Sequence, residues 1–65
     1  MEILVNDTLV SIFEGAKVKD VVGKYFAQKE LYPDMEKIKV YDEQNHLLSL
    51  KGELTPGEKL KVLHS

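Results

Sequence analysis

The stretch Met1-Glu2-Ile3-Leu4-Val5-Asn6-Asp7-Thr8-Leu9-Val10-Ser11-Ile12-Phe13 decides the fold. Met1, Ile3 and Val5 alternate with Glu2 and Leu4; beyond Asn6-Asp7, Thr8, Val10 and Ile12 alternate with Leu9, Ser11 and Phe13. Side chains of a strand point alternately to opposite faces, so two period-2 runs around a two-residue polar break predict a β-hairpin. Asn and Asp tolerate the positive φ that a tight primed turn requires at both central positions. Glu14-Gly15-Ala16 then breaks the pattern, and Val18, Val21, Val22, Tyr25 and Phe26 recur at i, i+3, i+4, i+7 and i+8, the apolar stripe of an amphipathic helix.

The ends of that helix are marked unequally. Lys17 stands where Ser, Thr or Asp would cap, and the missing acceptor is expected to cost about 1 kcal/mol, while Asp20 occupies the favourable first turn. Gly23, in mid-helix, costs about 0.8–1 kcal/mol relative to Ala; it is either a tolerated glycine or a point of close approach by another backbone. Pro33 pushes Tyr32 out of the α region, so the helix ends near Glu30.

Further along, Ile38 and Val40 alternate with Lys37, Lys39 and Tyr41 in a third strand that breaks at Asp42-Glu43-Gln44-Asn45, and His46 to Leu50 returns as a short fourth. Leu54-Thr55-Pro56-Gly57 forms a turn before Lys59-Leu60-Lys61-Val62-Leu63 alternates as a last strand. One helix and a sheet of four to five strands bury their apolar faces only against each other, which gives a two-layer α+β domain in the order ββαβββ. The expected inward set is Met1, Ile3, Val5, Val10, Ile12, Val18, Val21, Val22, Tyr25 or Phe26, Ile38, Val40, Leu48, Leu54, Leu60 and Val62. Covering the longest apolar runs places the first and last strands side by side, parallel, in the middle of a mixed sheet: the β-grasp arrangement.

Composition bounds what such a domain does. The 65 residues carry 9 Lys and no Arg, 11 Asp plus Glu and no Cys, for a net charge of −2. This length holds a single domain, residues 1–65, and burying enough surface to fold leaves little room for an enzymatic cleft. Without cysteine the chain has neither disulfide nor thiolate metal site. Alternating charges without Arg or a basic stripe argue against nucleic acid as a partner. No apolar run approaches the ~20 residues that span a bilayer, and Glu2 directly after Met1 is unlike a signal peptide, so no membrane partner and a cytoplasmic address are expected.

Three segments carry a family resemblance: the opening Met1 to Asp7, the helix start Glu14-Gly15-Ala16-Lys17-Val18-Lys19-Asp20-Val21-Val22, and the closing Leu54-Thr55-Pro56-Gly57-Glu58-Lys59-Leu60-Lys61-Val62. In their order and spacing the chain resembles the ubiquitin-like β-grasp superfamily, nearest its bacterial sulfur-carrier branch, which includes the thiamine and molybdopterin carriers. It also looks like the small regulatory β-grasp domains of synthetases and GTPases, and like the body of plant-type ferredoxins, whose cluster chemistry needs cysteines this chain lacks. The carrier resemblance implies an adenylating activating enzyme or a biosynthetic synthase as protein partner, and a Gly-Gly tail whose carboxylate is activated. Leu63-His64-Ser65 does not match that tail, so carrier activity is not carried over; a degenerate homologue, one truncated before its tail, or a domain excised from a longer chain is the alternative reading. Lys17 departs from the usual Thr cap.

Alternation places Leu4, Leu9, Phe13, Tyr41 and Leu63 on the sheet face away from the helix, with Lys39 and Lys61 as a positive rim. This set is either a docking patch, with Phe13 and Leu63 as anchors, or scattered exposed residues without energetic consequence. His46 and His64 have no companion ligands, so a metal site is not expected, nor is any cofactor. Carboxylates at Glu14, Asp34, Glu36, Asp42 and Glu43 read as solvated turn residues. Ser11, Ser49 and Ser65 lack the context of a nucleophile, and the four glycines form no phosphate loop. A non-catalytic module that binds a protein partner, as a monomer or weak dimer, is the expectation.

Overall fold

The computed structural model describes residues 1–64. Five strands and one helix follow one another as β1 (Glu2–Val5), β2 (Thr8–Ser11), α1 (Val18–Gln28), β3 (Ile38–Tyr41), β4 (Leu47–Leu48) and β5 (Lys59–His64), with a 3-10 turn at Met35–Lys37 before β3. The sheet order is β2-β1-β5-β3-β4; β1 and β5 are parallel, and every other neighbouring pair is antiparallel. The molecule is thus a small α+β domain with a five-stranded mixed sheet and one helix, an arrangement compatible with a β-grasp.

The hairpin closes as its turn chemistry dictates. Asn6 and Asp7 both take positive φ, 48° and 65°, the geometry that lets a two-residue loop follow the strand twist. Ile3, Val5 and Val10 are fully buried, and the whole helical stripe Val18, Val21, Val22, Tyr25 and Phe26 packs on them together with Ile38, Val40, Leu60 and Val62. Tyr25 and Phe26 do not compete for one inward position; both are buried, edge to face with ring centroids 5.1 Å apart. Ala16, absent from the expected core, is also buried, while Met1, Ile12, Leu48 and Leu54 are only partly covered.

The helix start corrects the sequence reading. Lys17 has no side-chain acceptor, yet the first amides are not left unpaired: Val18 N–H donates to the Gly52 carbonyl and Lys19 N–H to that of Leu50, both at 2.9 Å. Asp20 accepts from Lys17 N–H at 2.8 Å, completing the return half of a capping box. A distant loop therefore does what a local Ser or Thr does elsewhere, and the expected cost of an empty cap is offset. Close backbone approach falls at Gly52, where an added Cβ would lie 3.0 Å from the Ser49 carbonyl, and not at Gly23, which has open space around it. At the other end Leu31 N–H bonds Phe26 C=O and Glu30 N–H bonds Ala27 C=O, a Schellman closure with Glu30 at φ 58°.

Candidate functional site

With α1 covering one face, the sheet's other face is left open, and strand register fixes its pattern. Leu4 of β1 lies opposite Leu9 of β2 and beside Lys59 of β5; Tyr41 of β3 lies between Lys61 of β5 and Leu47 of β4. Two apolar pairs, Leu4 with Leu9 and Tyr41 with Leu47, thus flank a lysine column on the middle strand. Leu9 and Leu47 are well exposed, at 56% and 64%, while Leu4 and Tyr41 are half-buried by their neighbours. Leu47 was missed by the sequence reading, although the alternation that sends Leu48 inward sends Leu47 outward.

Two of the sequence expectations change in this geometry. Lys61 is not a rim residue: β5 is the third of five strands, so Lys61 stands on the middle strand of the face. Nor do Phe13 and Leu63 share a patch, although both are exposed. Leu4, level with Leu9 and Lys59, marks the middle; Phe13 lies four residues past Leu9 in one direction and Leu63 four past Lys59 in the other. Eight strand positions at roughly 3.3 Å each separate them by ~26 Å. The molecule's longest dimension is 27 Å. Leu63 instead sits opposite Lys39 and borders, with Lys37 and His64, a shallow hollow of about 240 Å³.

Charge on this face is partly neutralised. Lys59 Nζ lies 3.5 Å from Glu43 Oε1, whereas Lys39 and Lys61 join no ion pair among the described residues. Asp7 borders the same surface, in a hollow of about 320 Å³ formed with Leu4, Asn6, Lys59, Leu60 and Lys61. At the β3–β4 turn Asp42 Oδ1 accepts from the amides of Gln44 and His46, each at 2.9 Å, and Oδ2 lies 3.3 Å from His46 Nδ1. The His46 amide bond, followed by the Gln44 amide and the nearby imidazole, holds the Asp42 carboxyl below its usual range against an opposing desolvation. A cleft of about 400 Å³ between this turn and Thr55–Lys59 is lined by polar and acidic groups.

Asn6 does more than turn the chain. Its side-chain oxygen accepts from Val62 N–H at 2.9 Å and its Nδ2 donates to Val62 C=O at 3.1 Å, so the amide continues the β1–β5 ladder one step past the end of β1. The same Nδ2 lies 3.2 Å from the Tyr25 hydroxyl, tying the turn to the helix. Sequence periodicity carries no sign of this clasp.

The histidines serve neighbours of their own: His46 pairs with Asp42, and the His64 ring packs edge-on against Phe26 with centroids 5.4 Å apart. Among the described residues no group of three or more His, Asp or Glu side chains converges on a point where a metal ion would sit. Ser49 Oγ is engaged by the Lys51 amide, and Ser65 lies outside the described residues. No helix of the described residues is long and apolar enough to cross a membrane. No protein-family model matches the chain, and no curated protein matches it.

Proposed function

We propose that the chain is a non-catalytic, ubiquitin-like β-grasp module whose open sheet face binds a protein partner. The parallel β1–β5 pair at the sheet centre and the single helix packed across one face support the β-grasp assignment. The observation that carries the binding reading is the lysine column of the middle strand, with Leu4 and Leu9 beside Lys59 on one flank and Tyr41 and Leu47 beside Lys61 on the other, Lys61 being free of any ion pair among the described residues. Leu4 and Leu9 on one flank and Tyr41 and Leu47 on the other offer area whose burial drives association. Lys61 and Lys39 select a partner that sets carboxylates beside its own apolar side chains, since charge complementarity steers encounter and fixes register. Binding is then docking onto a preformed surface, with no chemistry at the face.

The test is recovery of the partner from the source cells by tagged wild-type chain and by two variants. Lys61→Glu reverses charge at the centre of the face and removes the partner, whereas Gln28→Glu, on the exposed side of α1, leaves it bound. Both variants keep the thermal midpoint within a few degrees, because neither side chain is buried. Retention by Lys61→Glu, or equal loss from both variants, rejects the face as the binding surface.

A further inference from the structure

The two edges of the sheet are unlike. β4 contributes two residues, while β2 presents four, Thr8-Leu9-Val10-Ser11, with neither charge nor proline among them. Such an edge carries in its own residues neither the charge nor the proline that ordinarily blunts strand pairing. The hydrogen-bond phase identifies which groups it offers. Met1 and Ile12 exchange both of their backbone bonds, at 2.7 and 2.8 Å. Because bonded and non-bonded pairs alternate along an antiparallel ladder, Ile3–Val10 and Val5–Thr8 are bonded pairs as well, and the amides and carbonyls of Leu9 and Ser11 point away from β1. One of these groups has a partner, the Ser11 carbonyl, which accepts from Lys24 Nζ of α1.

From this pattern we infer that β2 pairs with β2 of a second copy of the chain, antiparallel about a two-fold axis at Leu9. Leu9 exchanges two backbone bonds with its symmetry mate, and the five-stranded sheet becomes ten-stranded. The register is self-complementary in three respects. Leu9 meets Leu9 across the new seam, and Leu4 on the adjacent strand of each copy extends them into one apolar row. Residue numbers across the seam add to 18, so Ser11 faces Asp7 of the second copy. The Lys24 ammonium already held at Ser11 therefore lies beside the Asp7 carboxylate, which joins no ion pair within its own chain among the described residues. Symmetry supplies this pair twice. Four-residue edges bury little area, which makes the dimer weak and transient.

The proposal stands apart from partner binding through the face, since Lys61 lies two strands in from the edge. It is tested by sedimentation of the purified chain over about 10 μM to about 1 mM, together with two charge reversals, Asp7→Lys and Lys24→Glu. Each variant alone brings like charges together at both ends of the seam, and its dimer weakens by about tenfold or more. Mixed in equal amounts, the two variants restore both ion pairs, one Lys–Asp and one Lys–Glu, and heterodimer forms at wild-type strength. Asp7→Asn, which retains the tolerance for positive φ, gives a smaller loss and guards against a folding defect in Asp7→Lys. A monomer at every concentration overturns the inference, as does a dimer indifferent to the reversals or a mixture that fails to recover.

Discussion

Residues 2–28 and residues 29–58 are held by different means. In the first region two four-residue strands and an eleven-residue helix supply Ile3, Val5, Val10, Val18, Val21, Val22, Tyr25 and Phe26 to the core, nearly every one at its periodic position. In the second, β3 and β4 provide only six strand residues, and the path between them is set by single hydrogen bonds: Asp42 to the amides of Gln44 and His46, Gly52 N–H to Ser49 C=O, and Thr55 N–H to Glu58 Oε1. Pattern-held structure spreads its stability over many equivalent contacts. Bond-held structure concentrates it at particular atoms, where a small substitution has a large local effect.

The sharpest test of this contrast is Asn6→Gly, because Asn6 belongs to the first region by position and to the second by mechanism. Glycine keeps the positive φ of the turn, so the hairpin itself is preserved. What is lost is the side-chain clasp on both backbone groups of Val62 and on the Tyr25 hydroxyl. With single hydrogen bonds worth about 0.5–1.5 kcal/mol net, and both backbone groups of Val62 losing their partner, the expected destabilisation is about 2 kcal/mol. Denaturant unfolding measures it. A loss within error of zero would mean that water replaces the clasp and that periodic packing alone holds β5.

Two glycines give the next test, with opposite signs expected. Gly52→Ala forces a Cβ to 3.0 Å from the Ser49 carbonyl and disturbs the loop whose carbonyls cap α1. Destabilisation of about 1 kcal/mol follows, with faster amide exchange at Val18 and Lys19. Gly23→Ala meets no atom within 4 Å on an exposed helical turn, and restoring helix propensity raises stability by about 0.5–1 kcal/mol. If both substitutions move stability in the same direction, the tertiary cap is not what distinguishes the two sites.

The same contrast explains what the sequence makes legible. Alternation and the i, i+3, i+4 stripe carry β1, β2, α1, the strand at Ile38–Tyr41 and the final strand, because burial of one face leaves a period in the residues. The cap supplied by Leu50 and Gly52, and the Asn6 clasp, leave no period; the cap joins residues more than thirty positions apart through backbone atoms that every residue possesses, and the clasp sets one side-chain amide on the backbone of Val62, 56 positions along. For the outer face, alternation assigns Leu4, Leu9, Tyr41 and Lys61 correctly to one side. Which of them are neighbours depends on strand order and register, and these separate Phe13 from Leu63 and move Lys61 from rim to centre.

The smallest expected effect belongs to Asp42, a half-buried residue that organises the β3–β4 turn through two amides and the His46 ring. Its folded pKa is lowered, chiefly by the His46 amide bond, so the carboxylate favours the folded turn at pH values above its unfolded pKa. That contribution disappears as pH falls through the lowered folded value, and no comparable change from Asp42 arises near neutrality. A carboxyl-detected NMR titration should find Asp42 protonating below the ordinary aspartate range. On acidification the amide signals of Gln44 and His46 should move together with it, while those of β1 and β2 stay fixed until global unfolding. An Asp42 midpoint at or above the ordinary aspartate range, or amides at Gln44 and His46 that ignore it, would show the turn to be held by strand pairing at Tyr41 and Leu47, and would place it with the pattern-held region of the molecule.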